Sequence, residues 1–128
     1  MSSVLLLEPD TILGQTYQNG LEFAGHEVEW CKDAQVAIQA MDKTKPDIII
    51  TELQLAMHNG IEFLYELRSY TDWQNIPVVV LSHVPVLERG ITVALWQHLR
   101  IAAYHYKPLT KLSDLLRSVE RVLAPVDL

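Results

Sequence analysis

Cysteine is nearly absent from this 128-residue chain: Cys31 stands alone. No intrachain disulfide can form, and a reducing compartment fits. Long apolar runs are absent too. The N-terminus, MSSVLLLEPD, carries no basic segment, and its apolar run from Val4 to Leu7 is too short for a signal peptide or a membrane span. A cytoplasmic protein without membrane contact is expected. Positive charge is scarce: 10 Lys and Arg face 16 Asp and Glu, for a net charge of -6. No basic run or aromatic-basic alternation appears, which argues against nucleic-acid binding. There is no GxGxxG, no P-loop and no elbow pattern around a serine, so nucleotide-binding and hydrolase readings have little support. Internal repeats, low-complexity stretches and linkers are also missing.

What is present is a globular composition. Apolar residues make up 49% and charged residues 20%, enough to offset chain entropy and argue against disorder. The length suits one domain over residues 1–128. Three short unbroken apolar runs, Val4–Leu7, Ile48–Ile50 and Val78–Leu81, read as strands buried on both faces. Weaker strands fit His26–Trp30 and Ala102–Tyr106. Helical spacing follows Asp10 (Leu13, Tyr17, Leu21, Ala24, with Gly25 as stop). It recurs after Asp33 (Val36, Ala37, Ala40, Met41) and after Asn59-Gly60 (Ile61, Leu64, Tyr65, Leu67). Val86–Leu99 and Leu112–Leu123 complete the set, the last capped by Thr110 or Ser113.

Five β-α units in a row imply a doubly wound α/β fold with a parallel sheet covered on both faces. In such sheets the site lies at the C-terminal ends of the strands. Glu8-Pro9-Asp10, Thr51-Glu52, Ser82-His83 and Tyr106-Lys107-Pro108 fall there. Carboxylates, a hydroxyl and an ammonium on one edge suit a phosphoryl group and a divalent metal.

Four stretches, VLLLEPD, PDIIITELQLAMHNG, IPVVVLS and AAYHYKP, come in order on this pattern. With them the chain resembles the receiver domain of two-component response regulators, the CheY-like superfamily, over nearly its whole length. The resemblance implies a flavodoxin-like fold of five strands in order 2-1-3-4-5 with five helices. It also implies roles for matched positions. Lys107 matches the family's lysine and Ser82 its serine or threonine, both phosphate contacts. Tyr104 falls at the aromatic position that changes rotamer on activation. Glu52 falls at the phosphate-accepting aspartate. Glu8 matches the first of the paired acids that hold Mg²⁺, with Asp10 beside it, but Pro9 replaces the second. Ala56, His83 and Arg100 depart from a proline, a small residue and a glycine, and the segment from Ser82 to Lys107 is longer than usual.

These departures point to an atypical pseudo-receiver. Glutamate sets its carboxylate one methylene further out, and proline offers Mg²⁺ no ligand, so in-line phosphorylation loses its geometry. The expectation is a protein-binding signalling module, not an enzyme, with no cofactor and no metal. Its partners would be a histidine kinase or an output protein in a bacterial pathway. It could also pair with itself through the fourth helix, fifth strand and fifth helix, where Trp96 and Tyr106 are candidate contacts. Glu52 either mimics a phosphorylated aspartate by reaching Lys107 or Ser82, or merely fills the pocket. The alternative function is a working phosphorelay receiver that binds Mg²⁺ and is phosphorylated by a histidine kinase. Among smaller candidates, His58 and His83 with Glu8 and Glu52 could hold Zn²⁺. Trp30 and Trp73 are read as core ahead of interface, and Cys31 as a half-buried structural residue.

Overall fold

The structure, a computed structural model, describes residues 2–55, 59–85 and 93–125. The strands are β1 (Ser3–Leu7), β2 (Glu27–Cys31), β3 (Ile48–Thr51), β4 (Val78–Ser82) and β5 (Ile101–Tyr106). They form one parallel sheet in the order β2-β1-β3-β4-β5. The helices are α1 (Thr11–Phe23), α2 (Ala34–Lys43), α3 (Gly60–Ser69), α4 (Val93–Leu99) and α5 (Leu112–Leu123). This is the five-fold β-α alternation expected from the sequence. Of the helix expected over Val86–Leu99, the part before Val93 lies outside the described residues, as do Ala56 and His58.

Alternation along the central strands explains the two layers. Leu5, Leu7, Ile49, Val78 and Val80 pack with Ala37, Met41, Phe63, Leu64, Leu67 and Leu99, on the face covered by α2, α3 and α4. Val4, Leu6, Ile48, Ile50, Val79 and Leu81 pack with Tyr17, Leu21, Leu115 and Val119, on the face covered by α1 and α5. Since both faces are dry, these strands must be apolar at every position. Each fully buried aliphatic side chain contributes about 1.5–3 kcal/mol. Trp73 and Cys31 also sit in the first layer. Cys31 is therefore fully buried rather than half-buried, and burial pushes its thiol up to about 11.

The helix starts are set by side-chain caps. Asp10, Asp33 and Asn59 accept from the backbone N–H of Leu13, Val36 and Ile61, satisfying donors that a helix N-terminus leaves open. The α5 start differs from expectation. Neither Thr110 nor Ser113 caps it: Asp114 accepts from the Lys111 N–H at 2.9 Å, and the Thr110 hydroxyl donates instead to Tyr106 O. Thr110 closes the 3₁₀ turn Lys107–Leu109, so its hydroxyl is already used.

At the opposite end of the sheet, Arg100 adopts φ 55, the only non-glycine positive φ among the described residues. Its guanidinium reaches Gln74 O at 3.2 Å and the Asn75 side chain, contacts that offset a left-handed backbone disfavoured for a branched-off Cβ. Arg68 stitches the same corner, donating to the carbonyls of Leu99, Trp73, Gln74, Ile76 and Arg100. Burial draws its guanidinium down to about 10. No helix among the described residues is long and apolar enough to cross a membrane.

Candidate functional site

The strand ends bring Glu8, Glu52, Ser82, His83 and Lys107 together. Glu8 and Glu52 are each only 2% exposed, and the Lys107 side chain is 5% exposed. The Lys107 Nζ lies 2.7 Å from Glu8 Oε1 and 2.8 Å from Glu52 Oε1. One ammonium thus serves two buried carboxylates. Such a group of charges survives burial only where hydrogen bonds complete it.

Those hydrogen bonds converge on Glu52. Its Oε2 accepts from the backbone N–H of Leu53 at 2.6 Å, from that of Gln54 at 3.1 Å, and from the Ser82 hydroxyl. Its Oε1 accepts from Lys107 and from the His83 N–H at 3.2 Å, with His83 Nδ1 3.3 Å away. Both oxygens are saturated. Burial alone would raise the Glu52 pKa; the donors from Lys107, Ser82 and Gln54 outweigh it and hold the carboxyl below its ordinary range. Glu8 goes the other way. Burial pushes its carboxyl up, and Lys107 with the Asp10 N–H offsets this only in part. Lys107 touches both carboxylates alike, so the Ser82 hydroxyl and the additional backbone donors favour the anion on Glu52 over Glu8. Tyr17, facing the same charges from α1, has its phenol pushed up to about 12, first by burial and then by Glu8, Glu52 and Asp10.

Asp10 enters this edge through its backbone, not its carboxylate. Its N–H donates to Glu8 Oε2 at 3.1 Å, while its exposed side chain caps α1. Glu8 is fixed from its other side by Trp30, whose indole N–H donates to Glu8 O at 2.9 Å. The indole is admitted by Gly14: a Cβ there would lie 2.0 Å from Trp30 Cζ2. The loop after β3 is shaped in a similar way. A Cβ on Gly60 would lie 2.5 Å from Leu53 Cα, so only glycine lets α3 start against the backbone that donates to Glu52.

Mg²⁺ does not fit this donor set. Glu8 Oε1 is held by Lys107 and Oε2 by the Asp10 N–H; Pro9 has no ligand atom; both Glu52 oxygens are filled. Among the described residues no group of three or more His, Cys, Asp or Glu is placed to hold a metal. The Zn²⁺ reading needed His58, outside those residues. His83, half-exposed at 52%, faces Glu52 with Nδ1.

From Ser82 the contacts run outward to the fourth helix. The Ser82 Oγ accepts from the Val84 N–H at 3.0 Å, and the Tyr104 hydroxyl donates to Val84 O. The Tyr104 ring lies 5.6 Å from that of Trp96, tilted by 31°. Both side chains pack on the α2–α4 core layer. Tyr106 stands half-buried at the end of β5 beside Lys107.

The sequence placed Glu8, Glu52, Ser82 and Lys107 on this edge. It did not reveal the backbone donors Leu53, Gln54 and His83, since every non-proline residue has an N–H. Nor did it reveal Trp30 over Glu8. A glycine inside helix α1 was the available signal, and it becomes readable only once Trp30 is seen to need the space.

A five-stranded parallel sheet in the order β2-β1-β3-β4-β5, with acid, hydroxyl and lysine at its C-terminal edge, is the arrangement of a receiver-type signalling domain. The response regulator receiver domain family matches residues 4–111, and the chain belongs to that family, whose members are signalling modules of two-component systems. It is 30% identical over 88 residues to the transcriptional regulatory protein QseB of Haemophilus influenzae, covering 69% of this chain and 39% of QseB. It is 34% identical over 82 residues to the KDP operon transcriptional regulatory protein KdpE of Escherichia coli, covering 64% of this chain and 35% of KdpE. The matches thus span well under half the length of these relatives. Among solved structures, the chemotaxis protein CheY4 of Vibrio cholerae superposes with a TM-score of 0.85 at 24% identity, over 96% of this chain and 99% of CheY4. The non-phosphorylated HemR receiver domain of Leptospira biflexa gives a TM-score of 0.85 at 24% identity, over 99% and 98%. Both likenesses establish the fold.

Proposed function

We propose that this chain is a pseudo-receiver: one domain over residues 1–128 that binds a protein partner of a two-component pathway independently of phosphorylation. The observation that carries this reading is the state of the Glu52 carboxylate. It already takes the Ser82 hydroxyl, the Lys107 ammonium and the backbone N–H groups after β3 and β4. These are the donors a phosphoryl group at this edge would need. Filling the position from within leaves no room for the incoming group, and the absence of a fitting Mg²⁺ donor set removes the charge neutralisation that transfer requires.

The same contact supports the mimic over simple pocket filling. Glu52 holds Ser82, Ser82 holds Val84, and Val84 O holds Tyr104 against Trp96. The aromatic switch position is thereby tied inward without a phosphate. The partner is a histidine kinase or an output protein, docking on α4, β5 and α5 around Trp96, Tyr104 and Tyr106; the same face is proposed for self-pairing. A protein rather than nucleic acid fits the net charge of -6. Glu8 and Asp10 are remnants of an acidic metal pocket in this reading.

The rival is a working phosphorelay receiver. Incubation with acetyl phosphate and Mg²⁺, followed by intact-mass measurement, separates the two. No adduct is expected. A Mg²⁺-dependent gain of roughly 80 Da, one phosphoryl group, would establish the rival.

A further inference from the structure

The sheet ends at β2, and among the described residues no strand pairs with its outer edge. The register settles which backbone groups are left over. Glu27 N–H donates to Ser2 O, and Cys31 O accepts from Glu8 N–H, so Glu27, Glu29 and Cys31 turn their backbone groups toward β1. By the alternation of a parallel ladder, Val28 and Trp30 turn theirs outward. This is a row of unspent donors and acceptors.

On the sheet face next to that strand lies a groove of about 430 Å³, floored by β1 (Ser3, Val4, Leu5) and β2 and roofed by α2. Its apolar lining includes Val36, Ala40 and Pro46; its charged lining is Glu27 and Glu29 on β2 and a single cation, Lys43, on α2, so acidic groups outnumber basic ones. Both glutamates are exposed, and neither has an ion-pair partner among the described residues. Cys31, on the same side of the strand, packs in the α2 layer, so all three alternate side chains face α2. Charged side chains turned inward on an edge strand discourage pairing, yet the discouragement depends on the sign of the visitor. A second copy offering its own β2 would set Glu27 and Glu29 against like charges. A basic strand would find both paired and could lay its aliphatic stems on Val36 and Ala40.

We propose that the open edge of β2 and the groove beside it take up an extended, basic segment of a partner protein, added as a sixth strand. Alternating basic and apolar residues meet the site. The basic ones lie over Glu27 and Glu29, and the backbone pairs with Val28 and Trp30 along roughly 17 Å of strand. This surface is remote from the α4–β5–α5 face and stands whether or not phosphorylation occurs.

The probe is a short synthetic peptide of alternating lysine and valine, added to the full chain and followed by amide hydrogen exchange. Val28 and Trp30 gain protection, while Glu27 and Glu29, already bonded to β1, do not change. Glu27→Lys with Glu29→Lys weakens binding about tenfold or more. The same peptide with glutamate for lysine does not bind. Equal binding of both peptides, equal affinity in the double variant, or protection at other amides overturns the proposal. So does protection of Val28 and Trp30 by self-association in the absence of peptide, read by sedimentation. Both substituted side chains are exposed, so the variant keeps its fold, as circular dichroism checks; the wild-type exchange pattern and the acidic peptide test the proposal without it.

Discussion

At the residue scale the decisive competition is for Lys107, which stands between Glu8 and Glu52. Their opposite shifts give opposite pH dependences. Glu52 has a folded pKa below the ordinary 4.5, so its stabilisation is present above that value and is lost as pH falls through the folded pKa. Glu8 has a folded pKa above 4.5; its contribution is full below that value and is lost as pH rises through the folded pKa. Urea midpoints measured between about pH 3 and 7 therefore separate the two. Glu52→Gln flattens the acid side of the curve, and Glu8→Gln flattens the side above 4.5. The amide at position 52 keeps one acceptor oxygen but loses the charge that holds Ser82 and Lys107, at a cost of about 1–3 kcal/mol near neutral pH. Partner affinity should fall with it; unchanged affinity in Glu52→Gln would leave the glutamate as a pocket filler only.

At the scale of elements, α1 and β2 build one wall of the site together. Gly14 lies under the Trp30 indole, and that indole anchors Glu8 O. Gly14→Ala places a methyl where the ring now sits. A helix-interior alanine normally gains about 1 kcal/mol over glycine, but here the indole must move, and overpacking of this kind costs about 1–3 kcal/mol. The net outcome is a lower melting temperature, together with a changed Trp30 fluorescence as its N–H leaves the Glu8 carbonyl. A higher melting temperature with unchanged fluorescence would show that the ring yields freely. The strand pattern around this wall was legible from the sequence, because a strand buried on both faces must read as an unbroken apolar run. The α5 cap was not. Thr110, Ser113 and Asp114 are all capping types, and the choice among them rests on the 3₁₀ turn that engages the Thr110 hydroxyl.

For the whole molecule, the path from Glu52 through Ser82 and Val84 to Tyr104 and Trp96 joins the buried edge to the α4–β5–α5 surface. Each step of it is a hydrogen bond, a peptide link or a ring contact, so the path is physically contiguous. Trp96→Ala is expected to weaken capture of the partner in a pull-down from the source cell by about tenfold or more, in the manner of a hot-spot tryptophan. The pH profile of Glu8 and Glu52 should stay as in the wild type. Loss of that profile along with binding would mean that the substitution has disturbed the core and not the contact face alone.

The sequence by itself determined the alternation of strands and helices, the parallel sheet and the edge on which Glu8, Glu52, Ser82 and Lys107 meet. Apolar runs, caps and strand-end positions are local signals, and local signals survive in a linear string. Only the tertiary structure decided that Glu52 spends both oxygens on its neighbours, that Asp10 contributes its N–H and not its carboxylate, and that Trp30 seals the far side of Glu8. Each of those outcomes depends on distances of about 3 Å, and those set by Ser82, His83, Lys107 and Trp30 join groups far apart in the chain. The glutamate is readable as a substitution; that it fills the place of the group it cannot accept follows from where Ser82, His83 and Lys107 come to rest around it.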